Sequence, residues 1–476
     1  MRKTKIHALA LLPILLFCSS LNAQKLWTLD ECLTYALEHN LSLKQNELAV
    51  RDAENTLLQA KMRRLPSLNG SASNVYNFGR SIDPLTNANV QRNSANWRFG
   101  LSSGLVLFNG FQIQNSIQQQ RNMVYASRFD EEVAKNDIGM SLANAYLQVL
   151  FAKELVKINT EQKKSTALQL ERAEKFYEAG RVAESAVLEM KAQLANDHLN
   201  LVNATNQEWM ARVTLFQMLM LSPDSNDVAV PEISEVPDAG VVSAGHLLSL
   251  YQEKAPELKA AESRVNASQY GWKVAQGAYS PQLAISANLG TIYSDQALMP
   301  VYGPTLFYQQ YYDANGVPIA QVPLPNVTGT QTTPFGDQMN NNFGQTVALS
   351  LTIPIFNNYQ TKGGVRRAEI NYQNTVLAKQ ITWNTVERNV TQAFNEYLSA
   401  KARYEASKAS KEAQEASFAY AQKRYDEKLI SPVEYNLVLN NLISARSNFI
   451  QAKYELMFRY KIIDFYKNGT VYNEVH

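Results

Sequence analysis

Hydrophobic positions along the chain follow two different periods. From Leu68 to Phe78 the even positions Leu68, Ala72, Tyr76 and Phe78 are apolar or aromatic, while Ser67, Asn69, Ser71, Ser73 and Asn77 are polar or small. A second run sets Trp97, Phe99, Leu101, Leu105 and Leu107 against Arg98, Gly100, Ser102 and Gly104. Further on, Leu283, Ile285, Ala287 and Leu289 oppose Gln282, Ser286 and Asn288, and Val347, Leu349, Leu351, Ile353 and Ile355 oppose Ala348, Ser350 and Thr352. Alternation of this kind predicts four strands, at 67–78, 97–108, 282–293 and 344–355. Each is about ten residues, the length of a tilted strand crossing a bilayer, with small polar residues toward a lumen. The alternation by itself describes four strands of a soluble sandwich equally well.

Between these runs the period lengthens. Residues 110–178 and 357–427 contain no proline, and either stretch, as one helix, would extend roughly 100 Å. In the first, Ile138, Leu142, Ala145, Val149, Ala152 and Val156 recur at alternating spacings of 4 and 3, and Met140, Ala143, Leu147 and Leu150 form a second seam. One seam makes a two-stranded coiled coil; two seams wedge a helix between two neighbours, as the wall of a helical tube requires. Gly180 interrupts the first helix after "FYEA", and Ser431-Pro432 in "YDEKLISPVEY" offers a Ser cap with proline in the first turn of a new helix. Both points predict helix–turn–helix hairpins, with their turns distant from the strands.

The two halves of the chain repeat one plan. Leu43, Lys44, Glu47, Ala60 and Pro66 fall on Leu258, Lys259, Glu262, Ala275 and Pro281, each 215 residues later. Phe108, Phe111, Lys175, Tyr177, Leu194 and Ala204 fall on Phe356, Tyr359, Lys423, Tyr425, Leu442 and Ala452, each 248 residues later. The second half therefore carries 33 extra residues after Pro281. Residues 294–343, rich in Pro, Gly, Tyr and Asn, are predicted as a long outer-face loop, with 79–96 as its shorter counterpart.

The N-terminus combines Arg2, Lys3 and Lys5 with an apolar run from Ala8 to Phe17 and a small residue, Ala23, before Gln24. This is the layout of a cleavable secretory signal. Phe17 before Cys18 argues against a lipid anchor, and Cys32 is then the one mature cysteine, so no intrachain disulfide forms. Removing the three basic residues leaves 42 Lys+Arg against 43 Asp+Glu, a balance that gives no reason to expect nucleic acid. No later segment holds the 18 consecutive apolar residues of a membrane-spanning helix. His39, His198, His246 and His476 show no metal-ligand spacing, and no phosphate loop, dinucleotide fingerprint or nucleophile elbow is present. No cofactor, metal or enzyme activity is expected.

The order and double occurrence of "ECLTYALEHNLSLKQNELAVRDAENTLLQAKMRRLPSL", the "LFNG" corner and "YEAGRVAESAVLEMKAQL" resemble the TolC-type outer-membrane efflux proteins of Gram-negative bacteria, over essentially the whole mature chain. The resemblance implies a mixed α+β membrane protein: a homotrimer whose 12-stranded transmembrane β-barrel takes four strands per chain and continues as a long periplasmic α-helical barrel. It implies an exit duct of a tripartite efflux or type I secretion system, with a periplasmic adaptor, an inner-membrane transporter and outer-membrane lipid as partners. The segments are then 1–23 signal, 24–221 first repeat, 222–245 linker, 246–466 second repeat and 467–476 tail.

On this alignment Gly180, Arg181 and Val182, and Lys428, Leu429 and Ile430, are the adaptor-contacting tips. Glu434 and Leu437 are the constriction, where the family places two aspartates, so half of the acidic ring is missing. Tyr425 matches a tyrosine that ties the tips shut, but its partner position is Ala186, with Ser185 beside it. A periplasmic coiled-coil scaffold and a cell-wall hydrolase activator are the alternatives. Neither needs four alternating strands, and a scaffold would be soluble without detergent.

Overall fold

A computed structural model of the chain describes residues 25–82, 87, 89–90, 93–230, 240, 243–427 and 429–470. The expected signal, most of the linker from 231 to 242, Lys428 and the tail from 471 lie outside the described residues. The elements in chain order are β1 (Lys25–Trp27), α1 (Leu29–His39), α2 (Leu41–Met62), β2 (Ser67–Asn77), β3 (Ser81–Ile82), β4 (Asn89–Val90) and β5 (Ser94–Phe108). There follow α3 (Gln112–Glu178), α4 (Glu184–Met218), β6 (Asn226–Val228), α5 (Ala244–Gln252), α6 (Pro256–Gly277), β7 (Gln282–Ser294), β8 (Leu298–Tyr312) and β9 (Pro318–Thr332). The last are α7 (Phe335–Asn341), β10 (Gly344–Thr352), α8 (Gln360–Asp426) and α9 (Pro432–Asn468). Two compact units result, one formed by residues up to Val50, Ser127–Ala261 and the chain from Lys379, the other by Arg51–Ala126 and Glu262–Ala378.

In the second unit the four predicted strands form one antiparallel sheet in the order β10-β7-β5-β2. Their register aligns like with like. Leu105 pairs with Ile285 and Ile285 with Leu349, while Ser102 pairs with Asn288 and Asn288 with Thr346. One face is therefore apolar and the other small and polar, as the alternation predicted. On the polar face Gly100, Gly290 and Gly344 lie in one cross-strand row, which leaves a strip of that face without side chains. β10 ends at Thr352 rather than at 355, because Pro354 lacks the N–H that a ladder needs.

The expected loop over 294–343 needs correction. Its core is a β-hairpin, β8 paired antiparallel with β9, followed by the short helix α7. Five prolines in the two strands read as turn signals, yet register shifts at Val301/Tyr302, Tyr302/Leu306 and Tyr311/Tyr312 absorb the lost donors. The reversal sits at Asp313–Gly316, where the Asp313 carboxylate accepts from the Asn315 and Val317 amides at 2.9 and 2.8 Å and Gly316 takes φ +78. In 79–96, β3 pairs with β4 and β5 begins at Ser94, with part of the segment outside the described residues.

In the first unit α3 meets two cores, though not one per seam: Leu147 and Leu150 of the second seam lie in the same core as Leu142, Ala145 and Val149 of the first. Leu142, Val149 and Leu150 join Trp27, Cys32, Leu215, Phe216 and Val228 in one. Met140 packs against the other, around Leu247, Tyr251, Val390, Phe394 and Ile463. Tyr146 donates its hydroxyl to the Ala229 carbonyl at 2.7 Å, fixing the parallel β1–β6 pair against α3. Cys32 is fully buried and its thiol is pushed up to about 12 by desolvation, so it is a core residue rather than a reactive one.

Candidate functional site

The two helical hairpins end in turns of different construction. At the first, Gly180 has φ +68, and the Gly180 and Arg181 amides donate to the Tyr177 and Phe176 carbonyls at 2.8 Å each. This is a Schellman termination, which needs a left-handed residue at that position. Helix α4 then starts behind Ala183, which provides no side-chain cap. At the second turn the Leu429 amide donates to the Arg424 carbonyl at 2.8 Å. Helix α9 starts behind a full capping box: the Ser431 hydroxyl accepts from the Glu434 amide, and the Glu434 carboxylate accepts from the Ser431 amide, both at 3.2 Å.

A cavity of about 410 Å³ lies between the two turns, lined by Arg181, Val182 and Ala186 on one side and Tyr425, Ile430 and Tyr435 on the other. Tyr435 is almost fully buried. Its ring lies 4.6 Å from that of Tyr425 and 5.6 Å from that of Phe418, and its hydroxyl accepts from Gln169 Nε2 at 2.5 Å. Burial pushes the Tyr435 phenol up to about 12, against a smaller opposing pull from the Gln169 bond, and desolvation also raises Tyr425. Both rings are therefore neutral at any physiological pH. Arg172 approaches Asp426 at 3.8 Å, a mostly exposed ion pair that joins α3 to the end of α8 and contributes little by itself. The Oε1 of Gln169 is buried without a hydrogen-bond partner.

The sequence-predicted residues separate here. Arg181, Val182, Ile430 and Tyr425 face the cavity together. Gly180 forms the turn, and Leu429 is 63% exposed. Ser185 is exposed and absent from the lining, which its neighbour Ala186 joins. Glu434 holds the cap of α9, and Leu437, one turn on, is 62% exposed. Lys428 lies outside the described residues. Sequence reasoning missed Gln169, Arg172, Asp426 and Tyr435; the one available signal was an aromatic residue one turn after the Ser-Pro cap.

Among the described residues no helix is long and apolar enough to cross a membrane and no acidic, His or Cys group could hold a metal ion. The family described as outer membrane efflux protein matches residues 33–219 and 247–457. The outer membrane efflux protein BepC of Brucella suis biovar 1 (strain 1330) is 23% identical over 266 residues, which are 55% of this chain and 54% of that protein. The match thus spans about half the length of this curated relative. The outer-membrane channel OprN superposes with a TM-score of 0.72 at 19% identity, covering 93% of this chain and 89% of its own. The Campylobacter jejuni CmeC outer membrane channel superposes with a TM-score of 0.72 at 18% identity, covering 94% and 87%. At such identities the likeness concerns the fold, a mostly helical chain with a smaller sheet; the family match carries more, an efflux protein of the outer membrane. With both helical halves matched, the chain belongs to the outer membrane efflux protein family.

Proposed function

We propose that three copies of the chain close their sheets into one 12-stranded barrel and that the helical hairpins form the periplasmic wall of the same duct. The observation that carries this is the sheet itself. β2 and β10 are its outer strands, each hydrogen-bonded on one side only, and one sheet face is apolar while the other is small and polar. In hydrocarbon every unpaired edge group costs several kcal/mol, so such a sheet is tolerable only when the β2 edge of one copy meets the β10 edge of the next.

Passive conduction follows from walls lined by Ser, Asn, Thr and Gly rather than by a specific pocket. The duct serves a tripartite efflux or secretion system, fed by an inner-membrane transporter through a periplasmic adaptor. The two turns, with Gly180, Arg181, Val182, Leu429 and Ile430, offer the adaptor a mixed basic and aliphatic surface. Around a threefold axis Glu434 would form an acidic ring backed by a collar of Leu437, closing partly by dewetting. Tyr425 takes part in closure through Tyr435, Gln169 and the Arg172–Asp426 pair in place of a link to Ser185 or Ala186.

The test is the mass and conductance of the purified full-length protein. The expected result is a detergent-dependent particle of three chains that conducts ions in planar bilayers. A monodisperse monomer, or a protein that stays soluble and inactive without detergent, would overturn the proposal in favour of a scaffold.

A further inference from the structure

The β8–β9 hairpin is held rigidly at its root and buries almost nothing beyond it. Gln338, 2% exposed, donates to the Ser294 and Thr333 carbonyls at 2.9 and 2.8 Å and accepts from the Ser294 amide at 2.9 Å. The Thr333 amide donates to the Ala297 carbonyl at 2.8 Å, and the Ala95 amide donates to the Asp295 carboxylate at 3.0 Å. From this root each strand runs 15 residues, about 50 Å if fully extended. Among the described residues no third strand joins them.

Both faces of this ribbon are exposed, uncharged and mostly apolar, with Gln309 on one and Gln310 and Gln321 on the other. Residues opposite one another in an antiparallel pair share a face. Tyr308, Leu306 and Tyr312 therefore lie on one face, with Pro323 and Pro325. Phe307, Tyr311, Val322 and Leu324 lie on the other. Phe307, Tyr308 and Tyr312 are 58, 56 and 60% exposed. An isolated two-stranded ribbon is marginal in water, and an uncovered apolar surface of this kind marks a contact. The segment 298–332 has a single charged residue, Asp313, although 18% of the whole chain is charged. A surface without charge has nothing with which to attract an ionic partner, but it can be brought against copies of itself without like-charge repulsion. Pro300, Pro304, Pro318, Pro323 and Pro325 remove edge donors, which discourages strand addition and leaves the two faces as the means of contact. Two apolar faces suit a threefold ring, in which every arm has one neighbour on each side.

We infer that the β8–β9 hairpins of three copies pack face against face into an extracellular collar at the mouth of the channel. This rests on the trimeric barrel proposed above. Cysteine variants of the full-length protein test it, Asn315→Cys at the turn and the pair Tyr308→Cys with Val322→Cys, one on each face of the ribbon, with Cys32 buried in the core. After oxidation on intact cells, the expected result is a disulfide-linked dimer of the chain on a non-reducing gel, while native mass spectrometry of the same sample gives three chains. The further change Tyr308→Asp with Val322→Asp in the Asn315→Cys protein should lower the linked fraction by about fivefold or more, since like charges are then forced together. A three-chain particle without linkage at either position overturns the collar and leaves the barrel standing. A particle of any other stoichiometry overturns both. Linkage of the arms to a different polypeptide assigns the surface to a foreign partner and overturns the collar.

Discussion

Glu434 illustrates how one side chain can hold a local structural role and a charge at once. Its carboxylate completes the capping box of α9, a role that glutamine fills as well as glutamate. Glu434→Gln is therefore expected to leave folding unchanged while reducing cation selectivity in single-channel recordings. Glu434→Ala should do the same and also destabilise the second turn by about 1 kcal/mol, visible as faster amide exchange at Leu429–Tyr435. Normal selectivity in both variants would remove Glu434 from the constriction. Tyr435→Phe deletes the acceptor of the Gln169 bond, and the expected loss is about 1–2 kcal/mol of local stability. Burial raises the Tyr435 phenol to about 12. Its contribution is thus complete below the ordinary tyrosine range near 10 and is lost as pH rises through about 12. Exchange rates at the turn corrected for intrinsic chemistry should accordingly stay flat between pH 5 and 9 as far as Tyr435 is concerned.

At the scale of the element, the sheet makes a sharper claim than any of its strands. Leu349 stands in the apolar row with Ile285 and Leu105, and Thr346 stands in the polar row with Asn288 and Ser102. Leu349→Arg is expected to cost about 2–4 kcal/mol, as a charge on the lipid face of a barrel does, and to lower the yield of assembled protein. Thr346→Arg should assemble normally and shift conductance or selectivity. The reverse outcome would exchange the lipid and lumen faces. The β8–β9 turn at Asp313–Gly316, which stays open even where the faces of the ribbon are packed, is the place where protease added to intact cells should cut first. Cleavage confined to residues 175–190 would place the chain the other way up.

At the scale of the whole molecule, the proposed contact with a periplasmic adaptor can be tested directly. Cysteines replacing Arg181 and Leu429, one at each turn, are expected to crosslink to the periplasmic adaptor in cells and not to proteins of the cell surface. Wild-type efflux after replacement of both Gly180 and Leu429 would reduce the turns to solvated connections. Each turn is independently well formed, by a Schellman motif at Gly180 and a capping box at Ser431, so loss of adaptor crosslinking in a folded variant would report on the surface rather than on the hairpin.

Much of this protein was legible in its sequence because the signals were local. Alternation located β2, β5, β7 and β10, the absence of proline over 110–178 and 357–427 located α3 and α8, and Gly180 and Ser431-Pro432 marked the turns. The seams of α3 were legible only in part: Leu142 and Met140 pack in different cores, but Leu147 and Leu150 of the second seam share the core of the first, a division set by which neighbours arrive and not by the spacing along one helix. What only the tertiary structure decided depends on residues far apart in the chain. The β8–β9 pairing joins segments whose prolines and glycines each read as turns, and only their mutual register shows that shifts absorb the missing donors. The tip cavity brings Gln169 to Tyr435 across 266 residues, and no local period encodes such a meeting. Likewise, the alternation showed that each strand had two faces, but the alignment of Leu105, Ile285 and Leu349 in one row came from hydrogen-bond register, a property of pairs of strands that a one-residue slip would invert.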